Sequence, residues 1–459
     1  MTTPDLDVAV IGAGLAGLAA AHLLTRAGRS VRVFEAAGRV GGRMASSRHD
    51  GHLVDEGAET LAARGYPATW RLIRESGLTP ADLLEVRHPL ALWRGGRAHP
   101  YLGHPRGLLS GAGMSLRGRL DWLRFSAALA RATDLDHPEA TPFGDLTVAR
   151  LGARYHPDLY DALLQPLAGC FFGWDTARTA IGPMAVLLAG SGVGARWLSY
   201  RDGMDSLTRA LAARLPHPVT LDSPLAEATA CPGGVRLAFT DGRVLTARQA
   251  VLALPAPQIL ALRPDLPEHE RPYLAAAGYT PMLKVACLLD RPLPSPTRAP
   301  SYGVIVPGSE SRLVSGVIID HLKVPGRAPA GRGLVSLLIA PAALPDLLTA
   351  PDTEVVTAAT TEAARFLPGL PRALRSAHVF RHPLGLPEAT PQALRLRPVF
   401  ANRPLQPIEY AGDWLPLRPN SESAARSGEL AAERVLAYTS TRATASADQR
   451  PAAPGRAAR

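Results

Sequence analysis

The first apolar run, Val8-Ala9-Val10-Ile11, stops at Gly12, and the Ala/Leu-rich segment from Leu15 to Ala27 then reads as a helix halted by Gly28. A second run, Val31-Arg32-Val33-Phe34, ends at an acid, Glu35. Strand, glycine turn, helix and strand within about 30 residues predict a βαβ unit. From Arg64 to Arg131 the pattern turns helical, with Gly and Pro interruptions. There Leu116, Leu120, Leu123, Ala127 and Ala130 share one helical face, and Arg117, Arg124 and Arg131 recur every seven residues beside it. Two readings fit: a packed helix with a solvated basic face, or a helix lying in a membrane interface. Strand patterns follow at Val219–Leu221, Val235–Phe239, Val244–Ala247 and Ala250–Leu254, with Thr240-Asp241-Gly242-Arg243 as a hairpin turn and Pro255 and Pro257 as a stop. Leu283–Leu289, Tyr302–Val306, Val314–Ile319 and Leu334–Ile339, with a helix at Thr353–Phe366, predict a second, mixed sheet. Strand, glycine turn and helix return from Ile408 to Ala437, ahead of a Thr/Ala/Pro-rich tail. The fold class is therefore α/β.

At 459 residues the chain is long enough for two or three domains. Its net charge is +10, but all of its 50 basic residues except Lys284 and Lys323 are arginines, a usage that follows codon bias. The basicity therefore does not call for a nucleic-acid partner, and none is expected. Cys170, Cys231 and Cys287 lie far apart with no Cys/His cluster, which predicts neither a disulfide framework nor a metal site, and a reducing, cytoplasmic setting. The apolar stretch Val8 to Thr25 is preceded by Asp5 and Asp7 and broken by glycines, so it is read neither as a signal segment nor as a membrane span.

Gly12-Ala13-Gly14-Leu15-Ala16-Gly17 has the G-x-G-x-x-G form in the setting the physics requires. Gly12 permits the tight turn, Gly14 lets backbone approach a diphosphate, and Gly17 lets the helix pack on the strand. The diphosphate would rest on the positive end of the helix dipole. Glu35, 18 residues beyond Gly17 at a strand end, is placed to accept hydrogen bonds from an adenosine ribose. Dinucleotide binding follows, with NAD and FAD both still open.

Arg39-Val40-Gly41-Gly42-Arg43, then Asp55-Glu56-Gly57-Ala58, and near the other end Tyr410-Ala411-Gly412-Asp413, Glu422-Ser423-Ala424 and Ser427-Gly428-Glu429 resemble motifs of the flavin amine oxidase superfamily. That group includes protoporphyrinogen oxidases and phytoene-type desaturases. The resemblance implies FAD, with Arg39, Gly41, Gly42 and Arg43 along the diphosphate and ribityl chain, and Asp413 near the ribityl or phosphate region. It also implies that the helix beginning near Ser421 aims its N–H groups, by way of Ser423 and Ala424, at the flavin pyrimidine edge. Ser223-Pro224-Leu225 is similar to the middle FAD segment, where backbone near Leu225 holds the adenine. No cysteine follows Cys287, so the cysteinyl–flavin link of monoamine oxidases is impossible and FAD is expected to be noncovalent.

The implied chemistry is hydride transfer from a substrate C–H to flavin N5, with O2 or a quinone as final acceptor. The segment around Lys284 is similar to the amine-oxidase strand whose lysine holds a water at N5. A strand-edge lysine pointing at solvent is the other reading of the same residue. Amine oxidases bracket their substrate with two aromatics; the matching position here is Asn420, and Phe380 to Pro391 holds no Tyr or Trp. Losing a cation–π contact of about 0.5–2 kcal/mol disfavours simple primary amines. The expected substrate is a bulky, mainly apolar molecule, handled in the protoporphyrinogen-oxidase manner. Carotenoid-type desaturation, amine oxidation and a flavin-binding protein without turnover are the alternatives. His321, beside Asp320 and Lys323, and Trp414, after the Gly-Asp pair, are weaker candidates. The expected architecture is a Rossmann-like FAD-binding domain from residues 1–75, 205–270 and 400–437, a mixed-sheet and helical substrate domain from 76–204 and 271–399, and a disordered tail from 438 to 459. Peripheral membrane contact is compatible with it.

Overall fold

The structure is a computed structural model that describes residues 4–131, 134, 136–192 and 195–448. The first strand, Leu6–Ile11, lies between Val31–Phe34 and Val244–Leu252, and the last of these also pairs with Ile408–Tyr410. All three pairings are parallel, so Gly12, Glu35, Ala253 and Ala411 leave the sheet at one edge. In an open α/β sheet the carboxyl edge is where ligands bind. The strands Leu225–Cys231 and Gly234–Phe239 extend the sheet antiparallel beyond Val244–Leu252, and the expected turn, with Gly242 at φ +87°, joins Gly234–Phe239 to Val244–Leu252. The Leu15–Arg26 helix is buried on nearly every side. It packs so tightly on the final helix that a Cβ on Gly428 would lie 2.3 Å from the Ala16 carbonyl oxygen.

The second sheet runs, in spatial order, Leu374–Pro387, Tyr279–Leu289, Gly333–Ile339, Val314–Ile319, Gly303–Ile305, Leu90–Arg94 and Arg97–Pro100. It is antiparallel except where Gly303–Ile305 meets Leu90–Arg94. Short helices between residues 105 and 191 pack below it in one aromatic-rich core around Trp122, Phe125, Phe172 and Trp174.

Several expectations need correction. Val219–Leu221 forms no strand; Thr220 makes a single bridge to Phe34, because the segment turns at once through Asp222, whose φ is +48°. Val244–Ala247 and Ala250–Leu254 are one strand, Val244–Leu252. The final helix spans Ser421–Asp448 and so passes position 437, where the tail was expected to begin. The hydroxyl of Thr439 donates to the Val435 carbonyl and accepts from Arg29, which ties this stretch to the body. Residues 449–459 of the expected tail lie outside the described residues. In the Leu116–Leu129 helix the apolar face does not pack. Leu116 is 71%, Leu120 57% and Leu123 51% exposed, and the helix docks through Trp122, Phe125 and Leu129 instead. Gly118 allows that approach, since a Cβ there would meet Asp158 at 2.6 Å. No helix of the described residues is long and apolar enough to cross a membrane.

Candidate active site

The carboxyl edge of the first sheet gathers the glycine turn. A Cβ on Gly12 would lie 2.6 Å from the Ala253 carbonyl oxygen and one on Gly17 2.0 Å from that of Gly12, while one on Gly14 would meet nothing within 4 Å. Gly12 and Gly17 are thus required by the protein's own packing. At Gly14 the missing side chain leaves a cradle for a diphosphate. No side chain caps the helix that begins at Leu15, so its first-turn amides are free to meet an anion. The Ala13 N–H donates to Glu35 Oε2 at 2.6 Å and the Ala37 N–H to Oε1 at 3.0 Å, which fixes the carboxylate beside the turn.

The Arg39–Arg43 turn lies directly over it. Gly41 and Gly42 have φ of +118° and +53°, and the Gly41 N–H donates to the Ala13 carbonyl at 3.0 Å. Arg39 forms a two-pronged ion pair with Glu56, one bond measuring 2.8 Å. Arg43 and Asp413, expected as separate contacts, come together: the guanidinium donates to the two carboxylate oxygens at 2.8 and 2.7 Å and to the Gly385 carbonyl at 3.0 Å. Burial alone would lower the Arg43 pKa, but the Asp413 carboxylate and the Tyr279 hydroxyl outweigh it and hold the group charged. This pair ties the first glycine-rich segment to the last across 370 residues.

The middle segment reaches the same edge through backbone. The Glu35 N–H donates to the Thr220 carbonyl and the Ser223 N–H to the Glu35 carbonyl, each at 2.8 Å, so Leu225 begins its strand two residues past a Glu35 contact. At the C-terminal segment the Gly412 N–H donates to Ser427 Oγ at 2.9 Å, and Asn420 Oδ1 accepts from the Ser423 N–H at 2.8 Å, capping the last helix. Glu422 accepts the Ala68 and Thr69 N–H groups at 3.0 and 2.8 Å and so caps a second helix, Pro67–Glu75; burial still raises its pKa. Ser423 Oγ is buried without a hydrogen-bond partner among the described residues, and Ala424 follows it half-buried. An orphaned hydroxyl at a helix N-terminus, the Gly14 cradle and the uncapped amides together fit a flavin dinucleotide.

Lys284 does not face solvent. It sits on Tyr279–Leu289, an interior strand, and is wholly buried, as is Lys323, the chain's other lysine. Both ammonium groups contact the carboxylate of Glu59. Lys284 also donates to the Asp55 carbonyl at 2.5 Å, and Lys323 meets Asp320 at 2.8 Å. Arg327 lies 3.0 Å from Asp55 and donates to Ser199 Oγ at 2.7 Å. Burial opposes every charge here, yet Asp320, Glu59 and Asp55 push the Lys323 pKa up, and Lys323 and Lys284 pull that of Asp320 down. Glu59 alone is open, its side chain 20% exposed. It follows Ala58, whose N–H donates to the Arg43 carbonyl at 3.0 Å, so the cluster adjoins the dinucleotide turn.

Sequence reasoning missed Glu59, Asp55 and Lys323 as site residues. The available signal was lysine usage: if one exceptional lysine is worth notice, so is the second. His321 accepts the Leu334 N–H at Nδ1, at 3.1 Å, and its Nε2 lies 2.9 Å from the Leu293 carbonyl, which is a structural role. Trp414 is buried against Tyr273 and Phe400 with Nε1 donating to the Leu254 carbonyl at 3.0 Å, which is packing.

Residues 15–436 match the family described as flavin containing amine oxidoreductase. Protoporphyrinogen oxidase 2 of Arabidopsis thaliana is 48% identical over 71 residues, 16% of this chain and 14% of that protein. Coproporphyrinogen III oxidase of Propionibacterium freudenreichii subsp. freudenreichii is 27% identical over 414 residues, 76% of this chain and 75% of its own length. Among solved structures, cyclohexylamine oxidase from Brevibacterium oxydans IH-35A superposes with a TM-score of 0.75 at 20% identity, covering 95% of this chain and all of that one. Several curated relatives are matched over only 14–38% of their length. The protein is an FAD-dependent oxidoreductase. With nearly its whole length matched, the chain belongs to the flavin-containing amine oxidoreductase family.

Proposed function

We propose that the protein oxidises or desaturates a bulky, mainly apolar organic molecule, most nearly as a porphyrinogen oxidase does, and passes the electrons to O2 or a quinone. When bound, FAD supplies the hydride acceptor at N5. Residues 1–75, 205–270 and 400–437 are assigned to holding it, and 76–204 and 271–399 to enclosing the substrate. In this reading the Gly12–Gly17 turn and the Arg39–Arg43 turn carry the diphosphate, Glu35 the ribose, and Leu225 the adenine edge. Gly412 and the Arg43–Asp413 pair fix the ribityl side, and Ser423 and Ala424 the pyrimidine side. Lys284, its ammonium anchored by Glu59 and the Asp55 carbonyl, is the group assigned to ordering water at the reaction centre.

The observation that favours this reading over amine oxidation is Asn420. It stands where an amine oxidase carries an aromatic, and its side chain caps the last helix. The exposed Leu116, Leu120 and Leu123, flanked by exposed Arg117, Arg124 and Arg131, favour a cytoplasmic protein that docks peripherally on an anionic membrane. An anaerobic screen for flavin bleaching with porphyrinogens, carotenoid precursors and amines tests the substrate class. Bleaching by a porphyrinogen or a polyene precursor is the expected result, and bleaching by amines alone overturns the reading.

A further inference from the structure

Beside the C-terminal flavin segment lies a cavity of about 510 Å³ whose charged lining is Arg71, Arg418, Arg426, Asp134, Asp136 and Glu422. Five of these six have partners. Arg71 pairs with Glu429. Arg426 lies 3.5 Å from Asp136 and 3.3 Å from Glu429. Asp134 accepts from the His137 ring at 2.8 Å, and Glu422 accepts the Ala68 and Thr69 N–H groups.

Arg418 is different. It is only 4% exposed, and its Nε is buried with no hydrogen-bond partner among the described residues. Its backbone N–H donates to the Asp413 carbonyl at 3.1 Å, so the residue is held in place while its guanidinium has no ion pair or hydrogen bond among the described residues. Burial pushes its pKa down; Asp136 and Glu422 act on it from a distance but are committed elsewhere. A buried cation without a contact partner is costly, and such a cost persists in a folded protein where an anion relieves it.

We propose that this cavity is a binding site for the carboxylate of a small organic molecule, with Arg418 as the residue that receives it. A planar fork of N–H donors matches a carboxylate in two-point contact. The three acids in the lining favour a singly charged guest over a phosphate dianion, because like charge at close range is repulsive. No residue of the Gly12–Gly17 turn lines this cavity, so the diphosphate assigned to that turn is not its guest. Binding requires no turnover, so this inference stands or falls separately from the substrate class proposed above.

The test is thermal melting of the purified holoenzyme with benzoate or acetate, and with benzamide as the neutral counterpart. Benzoate is expected to raise the Tm saturably by about 1–3 °C, and benzamide to leave it unchanged. Arg418→Met is expected to melt no lower than the natural protein without ligand, to keep its flavin, and to lose the benzoate response. Arg418→Lys, which keeps the charge but not the fork, is expected to respond about tenfold more weakly in benzoate concentration. Unaltered melting of the natural protein in benzoate overturns the proposal, as does a persisting benzoate response in Arg418→Met. A loss of flavin or of folding in Arg418→Met makes the residue structural and also overturns it. With whichever substrate bleaches the flavin, competition by benzoate assigns the carboxylate to that substrate. Unchanged bleaching alongside a benzoate-raised Tm assigns it to a separate organic acid.

Discussion

Both oxygens of Glu35 accept backbone N–H groups, one from the glycine turn itself, so the residue shapes the turn as well as offering acceptors to a ribose. Glu35→Arg reverses the charge and removes both bonds, and the purified variant is expected to lose its FAD, read as the ratio of flavin to protein absorbance. Full flavin content would contradict the assignment. Lys284→Met leaves Glu59 paired with Lys323, so FAD is expected to stay bound. The loss of one ammonium from a buried network is expected to lower stability by about 1–3 kcal/mol and to slow flavin reoxidation by O2 in stopped-flow measurements. Unchanged reoxidation kinetics would reduce Lys284 to an anchor for Glu59. The glycine motif and its acid were legible because their spacing carries the chemistry. The charge cluster was not, because its members lie between 55 and 327 in sequence and meet only where the His52–Asp55 segment packs against the second sheet and the helix after it.

Among elements, the Leu116–Leu129 helix shows how periodicity identifies a face without saying which way it points. Its leucines and its Trp122/Phe125/Leu129 side are both apolar, and docking is decided by the aromatic bulk and by the bare approach at Gly118. Leu120→Glu with Leu123→Glu is expected to abolish sedimentation with anionic vesicles while leaving the Tm within about 1 °C, since both side chains are already in water. Equal sedimentation of the double variant and the natural protein would refute the membrane contact. The start of this helix is also acid-sensitive. Burial would raise the Asp158 pKa, but hydrogen bonds from Ser115 and the Arg94 guanidinium pull it from 3.8 down to about 2. A carboxylate with a depressed folded pKa stabilises fully above its unfolded value and stops doing so as pH falls through the folded one. The protection factor of the Ser115 amide, the intrinsic exchange rate over the observed one at the same pH, is therefore expected to fall between about pH 4 and pH 2 and to be constant above. The 14-residue strand Leu374–Pro387 escaped notice because Pro383 and Gly385 break its pattern. Its identity comes from pairing along Tyr279–Leu289, a tertiary fact.

For the whole molecule, the α/β class and the two sheets were readable because strands buried on both faces, parallel or antiparallel, are near-continuous apolar runs. The order of strands in those sheets was not readable, because it depends on which ends the connections bring back. Three distant stretches of chain meet at one edge, and a ligand that binds only the folded state stabilises it by mass action, by about 4 kcal/mol at a thousandfold excess over Kd. Stripping FAD is therefore expected to lower the Tm, and restoring FAD to recover it. An apoprotein that melts with the holoprotein would argue against a shared site.

The Ile408–Tyr410 strand is the last piece of that edge to be made. While the ribosome is still translating, the nascent polypeptide displays its opening glycine loop but has neither Asp413 to clamp Arg43 nor the closing helix to cover it. Coenzyme binding is therefore expected only once this strand and the helix after it are in place, since without them Arg43 stands unpaired beside an open glycine loop.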